Sequence, residues 1–156
     1  MGEEIRESAL AETNFTPEKG EKFLREIRAD RATFIRDHAV MAVLGMGVVG
    51  MVLAFIGSDH VLIGSFGAVL ALIVRGLWLY SEQMKFRWVL SSMRLVGPGG
   101  RQVYLLELEK VRRLFGDIQI ITKSGDKHLI KHIAQSEAIV GEIEDARARR
   151  AKRAGH

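Results

Sequence analysis

The side chains able to do chemistry in this 156-residue chain are few and scattered. His128 and His132 stand four apart, a spacing that aims two imidazoles at one metal ion when both lie on a helix. The alternation around them reads as a strand, where positions four apart share a face but lie ~13 Å apart, so they read as exposed strand histidines. Asp59 and His60 could hand on a proton, yet they belong to the polar stretch Ser58-Asp59-His60, which a tight connection between helices explains by itself. Glu107 and Glu109 lie among Lys110, Arg112 and Arg113, which leaves them charge-paired and solvated rather than tuned for acid–base work. Gly97-Pro98-Gly99-Gly100 is hairpin-turn chemistry without the following helix that a phosphate loop needs. The absence of cysteine excludes disulfides, thiol catalysis and thiolate metal sites. No nucleophile elbow, Walker loop, dinucleotide fingerprint or zinc motif occurs. The expectation is a protein that is not an enzyme and holds no cofactor or metal.

Charge is the stronger signal. Residues 1–37 carry seven basic and nine acidic side chains, residues 38–80 only Arg75 and Asp59, and residues 81–156 fifteen basic against nine acidic. The net charge of +4 therefore belongs to the C-terminal part. Two basic groups stand out as candidate binding sites. One is the strip Arg112, Arg113 and Lys123; the other is the tail Arg147, Arg149, Arg150, Lys152 and Arg153, five bases in seven residues without an acid. Beside a membrane such groups attract anionic headgroups, at about 1 kcal/mol for each Lys or Arg near the surface. Nucleic acid is not an expected partner, because interleaved aromatics are few and no recognition motif is present.

The elements that must position these groups begin with two apolar runs. Residues 39–57 are nineteen without a charge, and residues 61–74, extended by Leu77-Trp78-Leu79-Tyr80, continue in the same character. At ~1.5 Å per residue the first run alone matches the ~30 Å hydrocarbon core of a bilayer. Residues 38–81 thus read as a transmembrane hairpin. Arg75 near the end of the second run would snorkel to the interface, where Trp78 and Tyr80 supply an aromatic belt. A cleaved signal sequence is a poor fit to the first run, which starts behind a long charged segment. Lys and Arg flank both outer ends while the connecting loop has none, so both termini are expected in the cytoplasm. Gly47, Gly50, Ala54 and Gly57 on the first helix and Gly64, Gly67, Ala68 and Ala71 on the second form small-residue stripes. Such stripes permit close helix packing, either within the hairpin or against a partner or second copy, with Gly50, Ala54, Gly64 and Ala68 as the central positions.

Residues 1–37 read as a cytoplasmic N-terminal segment. Its first fourteen residues are polar, acidic and expected to be mobile. Thr16-Pro17-Glu18 reads as a helix start, and Phe23, Leu24, Ile27, Phe34 and Ile35 as one face of an amphipathic helix. After Glu82 the period shortens towards alternation. Residues 86–96 read as a strand and Gly97-Pro98-Gly99-Gly100 as its turn, with Val103 to Leu106 returning; 108–114 read as a short helical turn or bent strand. Residues 117–122 and 128–133 read as a hairpin about Ser124-Gly125-Asp126, and Ser136 as the cap of a final helix facing the sheet through Ile139, Val140 and Ile143. The domain would occupy 82–146, four short strands closed by one helix, with 147–156 as the basic tail.

The segments WVLSSMRLV, GPGGRQVYLLELEKVRRL, GDIQIITKSGDKHLIKHI and SEAIVGEIEDA resemble the second half of a bacterial pleckstrin-homology-like domain, and members of that group often carry such a domain directly after a two-helix membrane hairpin. The resemblance spans about residues 86–146. The fold class implied is an α+β membrane protein, a transmembrane hairpin followed by a small antiparallel sheet with a C-terminal helix. The stretch between Glu109 and Gly116 is shorter than the family pattern, leaving a sheet that a second copy or the N-terminal segment would complete. The resemblance implies a bacterial inner-membrane accessory, assembly or scaffolding protein that binds a protein partner or itself, and transfers no ligand residue. Two other readings stay open: an anionic-lipid-binding module, and a small subunit of a transporter or respiratory complex.

Overall fold

In the computed structural model of the chain, residues 15–155 are described, and the mobile segment expected at 1–14 lies outside them. The fold is α+β and divides into two units: a helical one, Arg31–Lys85, and a strand-rich one made of the chain before it, through Asp30, and the chain after it, from Phe86.

The helical unit is α1 (Arg31–Phe55) and α2 (Val61–Gln83), each long and apolar enough to cross a membrane by length and composition. α1 stops at Gly57, whose φ of 70° suits a residue without Cβ. There the N–H groups of Gly57 and Ser58 donate to the carbonyls of Ala54 and Leu53 (3.1 and 2.9 Å), a Schellman closure that satisfies the helix end. Glycine decides where the helices meet. A Cβ at Gly50 would lie 2.9 Å from Ser65 Oγ, at Gly64 2.3 Å from Leu53 Cδ1, at Gly45 3.0 Å from Leu72 Cδ1, and at Gly76 3.1 Å from the His38 ring. Gly50 and Gly64 therefore belong to the seam within the hairpin and Ala68 is half-buried, whereas Ala54 is exposed and Gly47 and Gly67 have no described neighbour within 4 Å of a Cβ position. The sequence stripe missed Gly45 and Gly76, which break its period. At the α1 start the Phe34 ring stacks on His38 (3.9 Å) and meets Tyr80 edge-on (5.5 Å), while His38 Nδ1 donates to the Phe34 carbonyl (3.0 Å). Tyr80 thus turns into the seam, while Arg75 and Trp78 are exposed.

Among the described residues the strand-rich unit holds seven strands. β1 (Phe23–Arg28), β2 (Arg87–Ser91), β3 (Arg94–Val96) and β4 (Gln102–Tyr104) form one antiparallel sheet in that order; β5 (Leu108–Leu114), β6 (Asp117–Thr122) and β7 (Lys127–Ile130) form the other. α3 (Ser136–Ala154) packs Ile139, Ile143 and Ala146 against β5, β6 and the 3-10 turn Leu105–Glu107. The core between them is aliphatic around one indole, with Ile27, Trp88, Leu90, Leu95, Ile118 and Ile120 all buried. Trp88 needs glycine at 97, where a Cβ would sit 2.7 Å from the indole ring. On the opposite face of β2 and β3, Phe15 and Phe23 cover Val89 and Val96.

Several expectations are corrected. Residues 23–28 are a strand, not an amphipathic helix, and they complete the sheet left open by the C-terminal segments, pairing Ile27 with Trp88 and Arg28 with Arg87. The helix fails because Glu18 to Glu21 make a tight turn: the Glu21 N–H donates to the Glu18 carbonyl (2.9 Å), the Glu18 N–H to Glu21 Oε2 (2.8 Å), and Gly20 takes φ 82°. Residues 86–96 are two strands, because the Ser91 hydroxyl accepts from the N–H groups of Met93 and Arg94 (3.1 and 2.9 Å) and reverses the chain before the glycine turn. Of the two readings of residues 108–114, the bent strand is the one found, bulged between Leu108 and Lys110. Ser136 opens α3 without a capping hydrogen bond from its neighbour Gln135, which occupies the cap position.

What holds the N-terminal strap is a buried ion network. Glu21 has no exposed side-chain surface and Arg94 only 8%. Arg94 Nε and Nη2 donate to the two Glu21 oxygens (3.1 Å each), and Nη1 to Glu18 (2.7 Å) and Gln102 (2.9 Å). Nη2 also reaches the Thr16 carbonyl (3.0 Å), and the Ser91 hydroxyl donates to Glu21 Oε1 (2.6 Å). Burial alone lowers the Arg94 pKa, but the charge and hydrogen bonds of Glu21, with Glu18 and Tyr104, outweigh it and the net shift is upward. A base whose folded pKa is raised stabilises the fold fully below its unfolded value, so the Arg94 contribution is constant across the neutral range and is lost only in strong alkali.

Two outcomes follow. Arg94→Met should cost about 3–5 kcal/mol by stranding the Glu21 carboxylate, and adding Glu21→Met should restore much of it. Chemical unfolding of the full chain in detergent, read by Trp88 fluorescence in a Trp78→Phe background, checks both. Gly64→Leu should weaken hairpin packing by about 1–3 kcal/mol through overpacking, whereas Gly67→Leu should leave it unchanged; thermal melting in detergent separates the two.

Candidate functional site

The antiparallel register sorts the basic strip onto different faces. Val111 opposes Ile120 and Arg113 opposes Ile118, and both pairs lie on the face carrying the core. Lys110 opposes Ile121, Arg112 opposes Gln119 and Leu114 opposes Asp117 on the outer face, where Leu129 and Lys127 continue the rows across β7. Arg112 and Arg113, adjacent in sequence, therefore point apart. Arg112 stays outside with its Nε donating to Gln119 Oε1 (2.8 Å), while Arg113 reaches Glu137 in the first turn of α3 (3.3 Å). Lys123 follows β6 directly, is exposed, and donates its backbone N–H to the Glu107 carbonyl (2.8 Å).

The outer face of β5–β6–β7 thus presents Lys110, Arg112 and Lys127, with Lys123 at its end, around half-buried Leu114 and Ile121 and exposed Leu129. The acids of this sheet are occupied or peripheral. Asp117 Oδ1 accepts the His132 N–H (2.8 Å), Asp126 Oδ2 accepts the Ser124 hydroxyl (2.7 Å), and Glu109 is at the bulge. This mixed basic and apolar face is complementary in charge to anionic or acidic surfaces. The reading of both histidines as exposed strand residues is corrected. His128 turns inward, edge-on to Trp88 at 6.3 Å between ring centroids, and His132 takes φ 58° in a loop where its carbonyl accepts the Asp30 N–H (2.7 Å).

The tail is not a separate segment. α3 runs unbroken to Ala154 and carries Arg147, Arg149, Arg150, Lys152 and Arg153 on its last turns. Its charges are segregated: Glu137, Glu142, Glu144 and Asp145 come first and no acid follows, the order that complements the helix dipole. The acidic half is used for attachment, with Glu142 paired to Arg25 of β1 and Glu137 to Arg113 of β5, and Glu144 closes on Arg147 within the helix (3.2 Å). Arg149, Lys152 and Arg153 are exposed, and Arg150 is half-buried on the side continuing from Ile143 and Ala146.

Three residues of this surface were missed from sequence: Lys110, Lys127 and Phe115. The first two needed the register. Phe115 is 98% exposed at the tip of the β5–β6 hairpin, where Leu114 opposes Asp117 and the two turn residues Phe115 and Gly116 take φ 53° and 95°. That is a type I′ turn, which favours Asn-Gly, and a phenylalanine in left-handed backbone costs about 1–2 kcal/mol. An exposed Phe-Gly between two alternating segments was the available signal.

No protein-family model, curated protein or solved structure matches this chain.

Reversing the charges at the end of α3 with Arg149→Glu and Arg153→Glu should fray it, at about 0.3–1 kcal/mol per reversed charge. Hydrogen exchange should then quicken over residues 148–154 and remain unchanged in β5–β7. An unchanged helix end would mean that contacts other than charge and dipole hold it.

Proposed function

We propose that the chain is a membrane-anchored, non-enzymatic binding module. Its two apolar helices form the anchor, and its strand-rich unit is a pleckstrin-homology-like domain on the cytoplasmic side that binds a protein partner or a second copy through basic surface. The role that fits is an accessory, assembly or scaffolding protein of a bacterial inner membrane.

The observation that carries this reading is the place of the helices in the chain: they lie between β1 and β2, which are hydrogen-bonded neighbours in one sheet. Arg28, three residues before α1, is the register partner of Arg87, four residues after α2, and Glu26 lies between them, 2.7 Å from Arg28 and 3.3 Å from Arg87. A segment whose two ends belong to one sheet can cross a bilayer only an even number of times. Two helices satisfy that condition, and large apolar side chains exposed along both, among them Val48, Phe55, Leu62, Phe66 and Ile73, suit hydrocarbon rather than water. Lys and Arg on both flanks, with none in the loop, favour the cytoplasmic side for the sheet. Seven antiparallel strands in sheets of four and three, followed by one helix, are the arrangement expected of a pleckstrin-homology-like domain and support that part of the reading.

The test is purification of a tagged full chain from native membranes in mild detergent at low and high salt, with protein and lipid identified by mass spectrometry. A stoichiometric protein partner, or a defined oligomer, surviving both salts is expected. That association should weaken with Arg112→Glu plus Lys127→Glu, which leave the core untouched. A monomer carrying only salt-sensitive anionic lipid would overturn partner binding in favour of a lipid-binding module, and recovery of the chain in the soluble fraction would overturn the anchor.

A further inference from the structure

The β5–β6 hairpin tip holds an aromatic ring that the fold does not use. Phe115 is 98% exposed, so it adds nothing to the core, and its φ of 53° is one that L side chains rarely adopt. Asparagine would suit that backbone and water better. Two basic side chains precede the ring on β5: Arg112 on the outer sheet face, bonded to Gln119, and Arg113 on the other, in an exposed pair with Glu137 that water or a headgroup can reach. A single apolar ring leading a pair of guanidinium groups is a short wedge with a cationic collar.

We propose that the Phe115 tip dips into the headgroup and acyl boundary of an anionic bilayer, with Arg112 and Arg113 paired to lipid phosphates. This rests on the proposed membrane anchoring, because it is the tethered bilayer that the tip would enter. A bilayer fits better than a protein for a geometric reason. A stable protein interface needs a patch of about 800 Å² per partner with several apolar residues, whereas the turn residue beside Phe115 is glycine and the flanking side chains are Arg113, half-buried Leu114 and half-buried Asp117. An interfacial anchor needs only a projecting apolar group and nearby cations, which reach ~5–10 Å into the boundary and hold anionic headgroups.

The experiment keeps the ring in place. 4-Fluorophenylalanine is introduced singly at position 115, and in a second sample at Phe66, which is exposed on α2. The full chain is reconstituted in nanodiscs of phosphatidylcholine alone or with phosphatidylglycerol, and ¹⁹F line broadening is read with a water-soluble gadolinium chelate and with an acyl-chain nitroxide. The proposal expects Phe66 to be broadened only by the nitroxide in both lipids. It expects Phe115 to be shielded from the chelate and broadened by the nitroxide in the anionic discs, with that shielding lost in neutral discs and in Arg112→Glu plus Arg113→Glu. If Phe66 is broadened by the chelate, the anchor itself fails and the proposal with it. If Phe66 behaves as expected but Phe115 meets the chelate equally in both lipids, the anchor stands and the tip insertion is overturned. Shielding of Phe115 that appears only when native-membrane proteins are added overturns it too, in favour of a protein partner.

Discussion

The pairing of β1 with β2 is the constraint on which the other features depend. These strands are separated in sequence by both apolar helices, yet Ile27 faces Trp88 and Arg28 faces Arg87 across one ladder. Loop closure over a long insertion costs only slowly more with length, about 0.6 kcal/mol for each doubling, so a packed helical hairpin can be carried inside a sheet without undoing it. The ladder is reinforced where the chain departs. Glu26, with 6% of its side chain exposed, sits among Arg28 and Arg87 and offsets what would otherwise be two like charges directly opposed. The strand unit therefore owns both ends of the helical unit, and in the proposed membrane reading one domain is tied to the bilayer at two points rather than hung from one.

The second dependence is on the Arg94–Glu21 pair. β2 and β3 bury apolar side chains on both faces, so the outer face needs a cover, and Phe15 with the turn at Glu18–Glu21 supplies it. An apolar cover alone would be interchangeable with many others. A fully buried carboxylate held two-fold along the Nε–Nη2 edge of one guanidinium group is not, because any other seating of the strap leaves a buried charge without its partner. The network thus selects one register for the N-terminal segment, and that register delivers β1 to the edge of β2.

Charge is distributed along α3 in the same way, by use. Acids in its first turns tie the helix to β1 and β5 through Arg25 and Arg113, and bases gather where the helix leaves the core. The outer face of β5–β7 adds Lys110, Arg112 and Lys127, so basic side chains that face no acid are collected on surfaces. Fields of one sign on a domain raise encounter rates with acidic partners or anionic headgroups, an effect that weakens as salt rises.

Patterns complete within a short window were legible in the sequence. The two apolar helices and their tight connection, the hairpin about Ser124-Gly125-Asp126, and the closing helix with Ile139 and Ile143 inward follow from local periodicity and turn chemistry, which need no distant partner. The resemblance to a pleckstrin-homology-like domain drew on that local pattern. What only the tertiary structure decided were the features set by contacts far apart in the chain. Residues 23–28 carry apolar side chains that suit a helix or a strand, and the choice was made by β2, more than fifty residues away. Glu21 and Arg94 were two charges among many until burial in the low-dielectric interior made them partners at the centre of one network. Arg112 and Arg113 read as one strip until the pleat of β5 sent them to opposite faces. Periodicity tells which side of an element is apolar; which element lies opposite it is set by packing the whole chain at once.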